Sequence, residues 1–86
     1  LIIKKLVVLT PEKEYFNGEI EAIKVPGVAG SFEILKGHAP IVSALTRGTI
    51  KVTKTEGGKT SFMITGGFIE VLNNEVSVLA SGVITA

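Results

Sequence analysis

The stretch Thr49-Ile50-Lys51-Val52-Thr53-Lys54, turning through Glu56-Gly57-Gly58-Lys59 into Ser61-Phe62-Met63-Ile64-Thr65, decides the fold class. Its first arm alternates polar and apolar residues, and the second arm returns after a glycine pair. A period of two belongs to a strand with one face on a core and one in water. Two such arms around Gly-Gly read as a β-hairpin. Downstream, Gly66-Gly67 interrupts, Phe68-Ile69-Glu70-Val71-Leu72 forms a strand, and Asn73-Asn74 turns into Glu75-Val76-Ser77-Val78-Leu79-Ala80. Residues 82–86 read as a terminal edge strand. Upstream, Ile41 to Leu45 is a short strand closed by Thr46-Arg47-Gly48.

Residues 2–9 read as the first strand, rich in Ile, Val and Leu. Thr10-Pro11 ends it, because proline cannot donate to a central ladder. Asn17-Gly18, between Glu14-Tyr15-Phe16 and Glu19-Ile20-Glu21-Ala22-Ile23, predicts a further hairpin turn. The apolar phase slips between Ala22 and Ile23, which predicts a bulge or bend there. Turn signals recur about every 8–12 residues and no window carries a sustained helical period, the pattern of an all-β sandwich or barrel. The whole chain, residues 1–86, reads as a single domain without internal repeats.

The most punctuated segment is Val25-Pro26-Gly27-Val28-Ala29-Gly30-Ser31-Phe32-Glu33-Ile34-Leu35-Lys36-Gly37-His38-Ala39-Pro40. Prolines at both ends fix φ and push their predecessors toward extended backbone. Phe32, Ile34 and Leu35 are placed to enter an apolar core. Such a segment holds a shaped surface and does not behave as a linker.

Composition narrows the function. The formal net charge is +1, so no strong field favours nucleic acid, anionic lipid or acidic substrates. Cysteine is absent, which removes disulfides, thiolate ligands and a thiol nucleophile together. Leu1 to Leu9 is apolar but short and cut by Lys4-Lys5, so it reads neither as a membrane span nor as a signal peptide. The chain is 45% hydrophobic, high for a small domain that meets water on every side.

The patterning locates that excess. Leu6-Val7-Val8-Leu9, Ile41-Val42, Ala44-Leu45, Phe68-Ile69 and Val71-Leu72 place apolar residues on both faces of their strands. A two-layer sandwich has one interior, so the second face needs another cover. The chain is too short for much wrapping by its own loops, which favours a partner protein.

Catalytic constellations are missing. All 8 acidic residues are Glu, there is no Asp, and His38 is the single histidine, so no Ser-His-Asp or Cys-His arrangement can be built. His38 has no second ligand at a metal-binding spacing; it reads as a loop imidazole bonded to backbone or placed at an interface. Gly58-Lys59-Thr60 resembles the end of a phosphate-binding loop, but Thr53 stands where that motif needs glycine and a strand follows where it needs a helix. The 4 Phe and 1 Tyr fall mostly in core phase, which argues against a single-strand nucleic-acid surface. No catalytic, cofactor or metal residues are expected.

Two blocks carry a family resemblance. Gly27-Val28-Ala29-Gly30-Ser31-Phe32-Glu33-Ile34-Leu35-Lys36-Gly37-His38-Ala39-Pro40 and Gly66-Gly67-Phe68-Ile69-Glu70-Val71, closed by Val76-Ser77-Val78-Leu79-Ala80, occur in the order and separation of the epsilon-subunit family of F-type ATP synthases (delta in mitochondria). The resemblance runs from Leu6 to about Ala80. It implies a β-sandwich of about ten strands in two five-stranded sheets, without chemistry of its own. It also implies a place in the central stalk, between the gamma subunit and the membrane c-ring, as one copy in a hetero-oligomeric complex. The domain would then turn with gamma, couple proton translocation to ATP synthesis, and lie peripherally on the cytoplasmic face of a bacterial plasma membrane.

By position, the resemblance turns Thr10, His38 and Ser43 toward gamma and the loop Gly27, Val28, Ala29, Gly30, Ser31, Phe32, Glu33 toward the c-ring. The doubly apolar strand adds Ile41 and Val42 to the gamma side. Many family members carry an acid where Ser31 stands; Glu33 is the nearest acid here. Most members continue into a C-terminal helical hairpin; this sequence stops at Ala86, as either a naturally short form or a trimmed domain. Inhibition of ATP hydrolysis is therefore not assigned. The alternative is a biotinyl- or lipoyl-type carrier domain modified at Lys59, beside Gly57-Gly58.

Overall fold

The computed structural model describes residues 2–84, which form nine strands and no helix. In chain order they are β1 (Ile3–Leu9), β2 (Glu14–Gly27), β3 (Gly30–Leu35), β4 (Ile41–Leu45), β5 (Gly48–Lys54), β6 (Lys59–Ile64), β7 (Gly67–Leu72), β8 (Glu75–Ala80) and β9 (Val83–Ile84). The expectations at Leu1, Thr85 and Ala86 fall outside the described residues.

The architecture turns on β2, 14 residues long where strands usually run about 5–6. Its first half pairs with β1, and its second half lies between β3 and β5. Counted once in each layer, β2 completes two five-stranded layers, β4-β7-β8-β1-β2 and β3-β2-β5-β6-β9. Hydrogen bonding runs unbroken through it, so the sandwich is one nine-stranded sheet folded on itself. Where β2 changes layer its register against β5 shifts between Ile20 and Ala22. Ala22 and Ile23 are consecutive and both buried. That irregularity is the bend read from the phase slip.

Asn17-Gly18 is not a turn. Both residues sit inside β2, with Val7 and Leu6 of β1 as their partners. A two-residue turn accepts Asn-Gly, but so does a twisted strand with a long neighbour to pair with, and here the ladder wins. The turn chemistry appears instead at Asn73-Asn74, where φ is 52° and 61° and Leu72 faces Glu75. Two positive φ values in a two-residue loop make the I′ geometry that suits strand twist.

The interior is aliphatic. Ile3, Leu6, Ile20, Ile23, Ile34, Ile50, Ile64 and Ile69 are among its fully buried side chains, with Phe16, Phe32 and Phe62 at its margins. Among the described residues no polar or charged side chain is buried. Leu35 departs from expectation: Ile34 fills the core side of β3, so Leu35 points out and is 54% exposed.

Gly67 explains part of the second motif block. Its φ of +147° and the closeness of β8 leave no room for a side chain: a Cβ there would collide with the Leu79 carbonyl and come within 2.9 Å of Ala80 Cα. Only glycine lets β7 start this close to β8.

Candidate functional site

The two layers have unlike outer faces. On the β4-β7-β8-β1 side, the strand registers bring Ala44 opposite Phe68, Phe68 opposite Leu79, and Leu79 opposite Leu9. Val42 and Leu72 flank this row, 70% and 50% exposed. Glu70 and Ser77, paired across β7 and β8, are the polar residues in its midst. The other outer face instead carries a Glu33-Lys24-Lys51-Ser61 row across β3, β2, β5 and β6. Alternation along each strand produces both faces; the first carries Val42, Phe68, Leu72 and Leu79 in water, the second Leu35, Met63 and Ile84 beside its charged row.

The expected gamma-side residues divide on this geometry. Of Ile41 and Val42, it is Val42 that points outward; Ile41 packs against the core. Ser43 is half-buried on the inward side of β4, its Oγ 3.4 Å from the Ala44 carbonyl oxygen. Thr10 closes the end of β1: its Oγ1 accepts from the Glu12 and Lys13 amides at 3.3 and 3.2 Å. His38 lies half-buried between β3 and β4, with Nδ1 2.7 Å from the Ala39 carbonyl oxygen. Val42 thus belongs to the apolar face, whereas Thr10, Ser43 and His38 make local backbone contacts.

Phe68, Leu72, Leu79 and Leu9 complete the face and were not singled out as site residues. The doubly apolar pairs Phe68-Ile69, Val71-Leu72 and Val8-Leu9 carried the signal for three of them. Val78-Leu79 carried the same signal for the fourth.

Gly27 to Glu33 forms the β2–β3 hairpin at one end of the sandwich. Val28 is 65% exposed at the tip, and Ala29, Gly30, Ser31 and Glu33 are also exposed. Phe32 folds back over Gly27, where a Cβ would lie 2.8 Å from its ring. The Val28 amide donates to the Ala44 carbonyl at 3.1 Å, and the Thr46 amide to the Pro26 carbonyl at 2.8 Å. These bonds hold the tip against β4, whose outward residues begin the apolar row. Glu33 stands opposite Lys24 on the adjacent strand.

Among the described residues no three His, Cys, Asp or Glu side chains gather as a metal site. Lys59 stands inside the β5–β6 ladder opposite Thr53, not at the apex of the turn where a carrier domain presents its lysine. The arrangement offers two contact surfaces: an apolar sheet face and an exposed hairpin tip bonded to it.

Comparison with known proteins converges on one family. The family described as ATP synthase, delta/epsilon chain, β-sandwich domain, matches residues 4–86. The chain is 40% identical over 79 residues to the ATP synthase epsilon chain of Chlorobium limicola, covering 92% of this chain and 90% of that one. It is also 40% identical over 78 residues to the epsilon chain of Chlorobaculum tepidum, covering 91% and 89%. Among solved structures, a chain of the Euglena gracilis mitochondrial ATP synthase (OSCP/F1/c-ring, rotational state 1) superposes with a TM-score of 0.86 at 23% identity. That match covers 92% of this chain and 51% of the Euglena chain, so this chain spans about half of its length.

Proposed function

The chain belongs to the ATP synthase delta/epsilon β-sandwich family, and from that membership we propose that it is a non-catalytic rotor subunit joining the gamma subunit to the membrane c-ring. The observation that carries this reading is the apolar row Ala44-Phe68-Leu79-Leu9 with Val42 and Leu72 beside it. Exposed apolar groups gathered on one sheet face stay in water only at a cost, and a partner that covers them removes it. A stable interface buries about 1,200–2,000 Å² in total, within reach of one such face.

Gamma lies against this face, and the Gly27–Glu33 hairpin meets the c-ring. Val42 is the gamma-side residue in direct contact. Ile41 and Ser43 support β4 from inside, while Thr10 and His38 fix the loops at its margins. The hairpin tip meets the ring through Val28, Ala29, Gly30 and Ser31, with Glu33 as its acid and Phe32 clamping Gly27. When proton flow turns the ring, the domain turns with gamma and passes torque between them. A close-packed aliphatic interior suits that task because it resists compression and shear. The subunit is peripheral to the membrane complex, on the cytoplasmic face of the bacterial plasma membrane.

Hydrogen-exchange footprinting with the cognate gamma subunit tests the placement. Protection is expected on β4, β7 and β8, and Lys24, Lys51 and Ser61 should exchange as in the free chain. Protection of the Lys24–Lys51 face alone would overturn it.

A further inference from the structure

We propose that Asn74 is a positioning residue for the gamma-side loop Gly37–Pro40, an inference that rests on the rotor reading above. Asn74 is the second central residue of the β7–β8 turn, and its φ of 61° is left-handed. Glycine is the residue that such a position favours, since it meets no Cβ penalty there. Among residues with a side chain, asparagine is one of those that tolerate this conformation best, and here that side chain is also engaged.

That side chain has two distant partners. Its Oδ1 accepts from the Gly37 amide at 3.2 Å, 37 residues away in sequence. Its Nδ2 donates to the Ile2 carbonyl at 3.1 Å, 72 residues away. One partner offers an N–H and the other a C=O, so the amide has a single orientation that serves both. The Asn74 carbonyl also accepts from the Lys4 amide at 3.0 Å. One turn residue thus ties the entry to β1 and the β3–β4 loop to β7–β8.

The tie to Gly37 bears on the docking face. Gly37 begins the segment Gly37-His38-Ala39-Pro40 that delivers the chain to β4, and β4 carries Val42 and Ala44. The His38 ring bonds to the Ala39 carbonyl and the His38 amide donates to the Leu35 carbonyl at 3.1 Å, so these contacts hold the loop to itself and to the end of β3. The Asn74 amide ties it to the β7–β8 turn instead, and so bears on where Pro40 stands beside Val42 and Leu72.

The experiment compares the full chain with Asn74→Gly, Asn74→Asp and Val42→Asp. Asn74→Gly keeps the turn and removes both side-chain bonds; Asn74→Asp keeps an acceptor for Gly37 and loses the donor to Ile2. Expected for Asn74→Gly is loss of hydrogen-exchange protection at the Gly37 amide, cooperative unfolding within about 10 °C of the parent because glycine's ease at positive φ offsets part of the two lost bonds, and affinity for the cognate gamma subunit about fivefold weaker, as loss of the Gly37 bond gives. Asn74→Asp should recover Gly37 protection and most of the affinity, which a purely structural role for the turn would not produce. Unchanged Gly37 protection in Asn74→Gly would overturn the proposal, as would lost protection with undiminished gamma affinity. Val42→Asp separates the two levels: if it too binds gamma normally, the rotor placement fails and not merely the role of Asn74.

Discussion

Phe68 on β7 and Leu79 on β8 stand directly opposite each other with both side chains in solvent, 57% and 54% exposed. A cross-strand apolar pair contributes about 0.2–1 kcal/mol to its sheet, so its loss leaves the fold nearly intact. Phe68→Ser should therefore change stability by about 1 kcal/mol or less, while affinity for gamma falls at least about tenfold if the ring is a central anchor. Thermal unfolding and titration calorimetry on the same protein separate the two effects. A variant that unfolds cooperatively and binds as tightly as the parent would remove Phe68 from the interface.

Neighbouring residues of β3 should respond in opposite ways. Ile34 is fully buried and Leu35 is exposed. Ile34→Ala leaves a cavity and should cost about 2–5 kcal/mol; Leu35→Ala should stay within about 0.5 kcal/mol. Chemical denaturation of both variants checks the register of this strand, because a one-residue slip would exchange the two values.

Gly67→Ala tests the close approach of β7 and β8. Its Cβ would meet the Leu79 carbonyl, backbone that cannot step aside as a flexible side chain can. The expected loss is roughly 3 kcal/mol, which for a domain of this size lowers the unfolding temperature by more than about 10 °C. An unfolding temperature within a few degrees of the parent would mean that the strands separate at little cost.

At the hairpin tip, charge is the variable to change. Ser31→Lys combined with Glu33→Lys removes the acid and sets three lysines near one another, since Lys24 faces position 33. In reconstituted membrane vesicles, proton-driven ATP synthesis should fall severalfold while hydrolysis by the complex continues. Synthesis and hydrolysis that remain in their parental ratio would place the ring contact elsewhere on the domain.

Much of this was legible in the sequence because the period of two is a property of side chains that survives any context. It located β4 and β8, the β5–β6 hairpin, and the strands whose second face is apolar. Two kinds of feature were not legible. Asn17-Gly18 reads as a turn by local preference, and only the presence of β1 alongside makes extended backbone the better state for it. Leu35 and Ile41-Val42 show the second kind. In a run of adjacent apolar residues the pattern does not say which one faces inward, and packing against Val71 and Ile23 decides it. The long-range bonds of Asn74 had no local signature either, since its partners lie far along the chain.

The sharing of β2 between the layers has a mechanical consequence. A tug on the Val28 tip enters a continuous covalent backbone that runs from one slab of the domain into the other. Two separately built sheets would carry such a load only through side chains sliding over one another. Here the slabs must yield together, so the tip and the greasy flank behave as parts of one lever.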